Sequence, residues 1–142
     1  MKVTIVCAGK VKDPAFLSLA GEYAKRIRRY TRLDEVFVRD ADSLATFDPG
    51  EATMVALEVW GKQLTSQQFA AQLERWGSSG KGEMCFVIGA AEGIPKSLSD
   101  RADSYLSLSS MTLPHRLARV VLLEQIYRGL SILRGEPYAR EG

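Results

Sequence analysis

Two short apolar runs, Lys2–Ala8 (KVTIVCA) and Met84–Ile88 (MCFVI), constrain this chain more than any other feature. Each packs β-branched or bulky side chains at successive positions, as strands covered on both faces do. Such strands belong to parallel sheets, and parallel sheets need helical crossovers. The intervening sequence supplies them. Asp13-Pro14 marks a helix start, with Asp as the cap and Pro at the first helical position. Phe16, Leu17, Ala20, Tyr23, Ala24 and Ile27 then form one apolar stripe on a helix predicted over Pro14–Tyr30. A second helix, from Thr65 to Trp76, turns Phe69, Leu73 and Trp76 to one side and closes in the glycines and serines of Gly77–Gly82. A third runs from Pro114 to Leu133 and stops at Gly135. Further strands are predicted at Glu35–Arg39, Thr53–Val59 and Tyr105–Leu108, while the acidic, turn-rich Asp40–Ala52 holds no helix of useful length. The expected fold class is α/β, a mostly parallel sheet with helices on both faces.

Composition narrows the function. The 142 residues suit one domain, 1–142, and 46% hydrophobic with 25% charged residues excludes disordered, collagen-like and disulfide-scaffold classes. Cys7 and Cys85 sit inside apolar runs and read as buried thiols of a reducing compartment. A single histidine, His115, and no Cys-x-x-Cys spacing argue against a transition metal. No apolar run approaches the roughly 20 residues of a membrane span, and the chain opens on a strand rather than a charged leader. A cytoplasmic protein is expected. The net charge of +2 is small, so nucleic-acid contact must come from local clustering.

Ligands of such sheets sit beyond the strands' carboxyl ends. Gly89-Ala90-Ala91-Glu92-Gly93 follows a buried strand with small residues that let backbone approach a ligand, although an ordinary strand-to-helix turn reads the same way. It matches neither dinucleotide- nor phosphate-binding fingerprints. Leu106–Pro114 alternates apolar and hydroxyl residues, so that Leu108, Met111 and Leu113 line a slot suited to a flat ring, or else form an edge strand and cap. Lys25, Arg26, Arg28, Arg29 and Arg32, five cations in eight residues, are a candidate RNA-backbone patch or a solvated helix end. Eleven apolar residues among the seventeen from Leu117 to Leu133 exceed one stripe and point to self-association as a dimer. Arg134–Glu141 reads as a polar, mobile tail.

These segments, in this order, resemble the RlmH family of SPOUT-superfamily methyltransferases, over nearly the whole chain. The likeness is densest in MKVTIVCAGKVK, ALEVWGKQLTSQQFA, FVIGAAEG and LSSMTLPHRLARVVLLEQIYRGLSILRGEPY. The resemblance implies a C-terminal trefoil knot, a homodimer, and S-adenosyl-L-methionine as cofactor. The implied reaction methylates N3 of a pseudouridine in 23S ribosomal RNA, on the assembled ribosome. Carried over by position, cofactor contacts fall on Leu57, Gly89, Leu108, Ser109, Ser110, Met111, Thr112 and Leu113. Arg140 is the candidate for stabilising charge on the base, with Tyr138 stacking on it. The chain departs from the family at Asp40–Ala52, which is short, and at Ala139, where relatives commonly carry histidine. A non-catalytic ribosome-binding dimer and a flavodoxin-like nucleotide-binding domain remain the competing readings.

Overall fold

The computed structural model describes residues 1–141. Its elements run β1 (Lys2–Ala8), α1 (Pro14–Ile27), β2 (Arg32–Val38), α2 (Ala41–Ala45), β3 (Thr53–Gln63) and α3 (Ser66–Gly77). There follow β4 (Glu83–Ile88), α4 (Lys96–Ser99), β5 (Ser104–Ser107), α5 (His115–Leu133) and α6 (Tyr138–Glu141). The five strands form one sheet in the order β2-β1-β4-β3-β5, with every neighbouring pair parallel. This is the α/β architecture the apolar runs predict.

Strand alternation divides the core in two. Val3, Ile5 and Cys7 of β1 and Met84, Phe86 and Ile88 of β4 face a layer built from α1, α3 and α5. Val6, Ala8, Cys85 and Val87 face the other way, onto Leu44 of α2 and Leu98 of α4. Cys7 and Cys85 therefore lie on opposite faces of the sheet. Both are free, and burial pushes each thiol up to about 12, which leaves them protonated and unreactive.

Helix α5 lies between α1 and α3 on the sheet, so Leu122, Leu123, Ile126 and Leu130 are buried within a single chain. Leu117, Val121 and Ile132 stay half-buried and Leu133 exposed. Near its start α5 carries a buried ion pair: Arg119 donates to both carboxylate oxygens of Glu35 on β2, at 2.7 and 3.1 Å, and its guanidinium lies 4.8 Å from the Phe37 ring.

Element ends also shift. Helix α1 stops at Ile27 rather than Tyr30, because Arg28 turns back to donate to the Leu33 carbonyl and Thr31 Oγ1 donates to that of Met1. The connection at Asp40–Ala52 does hold a helix, five residues long, whose start Asp40 caps by accepting from the Ser43 amide at 2.9 Å. Strand β3 continues past Val59 to Gln63, where the sequence suggests a loop. It bulges after Leu57, so that Leu57 and Lys62 both pair with Leu106. Gly61 makes this possible, since a Cβ there would sit 2.8 Å from the backbone of Tyr105.

Candidate active site

The carboxyl ends of three adjacent strands, β4, β3 and β5, open onto one cavity of about 390 Å³. That size lies in the range of small-molecule sites, roughly 300–1,000 Å³. Leu57 ends the regular part of β3, Gly89 follows β4, and Leu108 follows β5; all three line the cavity. Ser109, Met111, Thr112 and Leu113 complete its wall, and α5 begins there at Pro114 and His115. Seven of the eight cofactor candidates are brought together in this way. Ser110 is exposed and is not part of the lining.

Two loops hold the shape. After β4 the chain folds back on itself, with the Gly93 amide donating to the Ala90 carbonyl at 2.8 Å. Gly89 packs so closely beneath this turn that any Cβ would collide with the backbone of Gly93 and Ile94. In the other loop the Ser107 hydroxyl donates to the Ser109 carbonyl at 3.0 Å, and Ser109 Oγ accepts from the Met111 amide at 2.9 Å. These hydroxyls shape the loop locally.

The charge of the lining is distinctive. It includes the acidic residues Glu58 and Glu92 and, among the described residues, neither Lys nor Arg. Such a site disfavours phosphate and suits an apolar ring joined to a positively charged group. Glu58 and His115 escape sequence reasoning. Alternation sends Leu57 and Glu58 to opposite faces of a strand, and only a cavity at the end of the sheet takes both.

The five candidate RNA-binding cations divide. Arg26 is held by Glu22 at 2.9 Å and stacks near the rings of Tyr23, Tyr127 and Tyr138. Lys25 projects from α1 into solvent. Arg28, Arg29 and Arg32 line a separate groove of about 800 Å³, joined by Arg134 and floored by Leu130 and Leu133. Although larger than the cavity, this groove carries an arginine-rich rim and suits a phosphate backbone rather than an adenosyl group. It lies at the far end of α5, whose nineteen residues span about 28 Å at 1.5 Å each.

The C-terminal segment is not a loose tail. Tyr138–Glu141 forms one helical turn on α5, where the Tyr138 hydroxyl donates to Glu124 Oε2 at 2.8 Å. Glu124 also accepts from Arg128 at 2.7 Å, and Arg128 stacks over the Tyr138 ring. Burial, reinforced by the neighbouring Tyr23 and Glu124, pushes the Tyr138 phenol well above its ordinary range. Tyr30 adds a second tie, donating to Glu136 Oε2. Arg140 is exposed. Within one chain, Tyr138 is anchored at Glu124–Arg128 while the cavity reaches no further along α5 than Ala118. Neither tail candidate joins the cavity of its own chain.

The fold agrees with what the chain is similar to. The family described as "Predicted SPOUT methyltransferase" matches residues 1–139. The chain belongs to the SPOUT methyltransferase family. Among curated relatives, the ribosomal RNA large subunit methyltransferase H of Sorangium cellulosum is 48% identical, covering 98% of this chain and 99% of its own length. The protein of the same name from Acetivibrio thermocellus is 38% identical, covering 99% and 100%. A solved structure described as a probable methylase family protein from Haemophilus influenzae superposes with a TM-score of 0.54 at 10% identity. It covers 98% of this chain and 69% of that one. At that identity the likeness concerns the fold alone. Among the described residues of this SPOUT family member, no His, Cys, Asp or Glu cluster could hold a metal ion, and no helix is long and apolar enough to cross a membrane.

Proposed function

We propose that this SPOUT family member uses S-adenosyl-L-methionine to methylate N3 of a pseudouridine in 23S ribosomal RNA, as a cytoplasmic homodimer acting on the assembled ribosome. The observation that carries this reading is the cavity at the ends of β3, β4 and β5, apolar in its walls and acidic in its charged groups. Its donor set fits an adenosyl sulfonium. Leu57, Leu108 and Leu113 suit the flat ring, the tight Gly89 turn brings backbone close, and the carboxylates suit a cation. The ribosomal RNA substrate is supported by the names of the full-length relatives. The trefoil knot belongs to the same reading, as a family expectation.

When bound, the cofactor supplies a methyl group already activated on sulfur, which the acceptor nitrogen takes up as its own proton leaves to solvent. The protein's part is then chiefly orientation. Arg140 stabilises the negative charge that develops on the base, and Tyr138 positions the ring as a neutral phenol rather than as a proton acceptor. Both residues stand away from the cavity of their own chain, so these roles require that they serve the cavity of a second copy. The homodimer is the family expectation.

Titration calorimetry tests the cofactor reading: heat with S-adenosylmethionine and none with ATP or flavin mononucleotide supports it, and the reverse pattern contradicts it. Arg140→Ala is expected to slow methyl transfer at least about tenfold while the cofactor dissociation constant stays within about twofold. Equal loss of both removes Arg140 from the chemistry. Charge reversal at Arg29, Arg32 and Arg134 together is expected to lower the salt dependence of ribosome binding by about two to three phosphate contacts. An unchanged slope shows that the groove is merely solvated.

A further inference from the structure

Of the two acidic residues that line the cavity, Glu58 is the one held in place. Glu58 Oε2 accepts from the Ser99 hydroxyl at 2.7 Å, and Ser99 is itself only 5% exposed. Ser99 is fixed in turn: its amide donates to the Pro95 carbonyl at 2.9 Å, and its own carbonyl accepts from the Tyr105 hydroxyl at 2.7 Å. The Glu58 side chain therefore cannot swing freely, although it sits where β3 begins to bulge away from the sheet. Its Oε1 has no hydrogen-bond partner among the described residues, and the residue lines the cavity. Glu92 lines it too, but is exposed, so water screens its charge.

We propose that Glu58 is a specificity-determining residue that selects the methylated, positively charged cofactor over its neutral demethylated product. The inference rests on the cofactor reading and deepens it. The two ligands share adenine, ribose and the amino-acid end, so every contact to those parts treats them alike. They differ in the methyl group and in the sulfonium charge it confers. A fixed, partly dehydrated carboxylate in a wall without Lys or Arg responds to that charge directly. It favours binding of the loaded cofactor and gives no such hold on the spent one, which eases product release.

The test is calorimetry on full-length protein with three probes: S-adenosylmethionine, S-adenosylhomocysteine, and sinefungin, an analogue with an amine at the reacting position. Glu58→Gln is expected to weaken S-adenosylmethionine binding by about tenfold and S-adenosylhomocysteine binding by less than about twofold, the scale of one charge-assisted contact. Glu58→Asp keeps a carboxylate and should preserve most of the preference. Equal weakening of both ligands by Glu58→Gln assigns the residue to the shared part of the cofactor or to structure, and overturns the proposal. So does no change in either. If that variant does not fold, the wild-type protein still decides. Sinefungin must bind more tightly than S-adenosylhomocysteine, and parity between them overturns the proposal. Silence of the wild-type protein toward all three probes removes the cofactor reading itself, and this proposal falls with it.

Discussion

Gly89→Val abolishes cofactor binding in this account, lowering affinity by at least about 100-fold, the scale of an ångström-level misplacement of binding groups. The reason is local. Gly89 lies directly under the Ala90–Gly93 turn, and a branched side chain there meets the backbone of Gly93 and Ile94. Backbone cannot rotate aside as a flexible side chain can, so the turn must open. Opening it displaces one wall of the cavity away from Leu57 on β3 and Leu108 just after β5. The fold itself should survive, with a loss of about 1–3 kcal/mol typical of overpacking. Calorimetry and a thermal melt on the same sample separate the two effects. Binding within threefold of wild type, with a normal melt, means that the cofactor does not use this turn.

The second large effect concerns stability. Arg119→Met leaves the Glu35 carboxylate in the pocket where the ion pair now sits, with side chains 8% and 12% exposed. Breaking such a pair by removing one partner costs about 3–5 kcal/mol. For a chain of this size that is a fall in Tm of about 10 °C or more. The pair also ties edge strand β2 to the N-terminal part of α5, so its loss should loosen that edge first. The double variant Arg119→Met with Glu35→Leu removes both charges and should recover more than half of the loss. Chemical denaturation of the two single variants and the double completes the cycle. Additive costs would show that the two charges do not interact.

What the sequence makes legible follows from what local rules can see. The five strands and three long helices stand out because their periodicities differ and their starts are marked. Asp13 caps α1 by accepting from the Ala15 amide, and Thr65 with Gln68 forms a reciprocal capping box on α3. Elements of four or five residues, such as α2 and α4, carry too few positions to show a period. Partners distant in sequence are equally hidden. The breadth of apolar surface on α5 looks the same whether α1 and α3 or a second chain covers it, and Glu35 gives no sign that Arg119 waits 84 positions away. The tail reads as mobile for the same reason, since Tyr138 is held by Glu124 and Arg128 across a Gly/Pro break. At the site, the turns after β4 and β5 are visible because small and hydroxyl residues follow strands. Glu58 is invisible because its role depends on a bulge that no motif announces.

Methyl transfer to ribosomal RNA is the central claim. The direct measurement supplies tritiated S-adenosylmethionine and the purified protein to ribosomes from cells lacking it, then maps the labelled nucleotide. Label confined to N3 of one pseudouridine in the large-subunit RNA is the predicted result. No label in any RNA, from protein that is folded and binds the cofactor, contradicts the account.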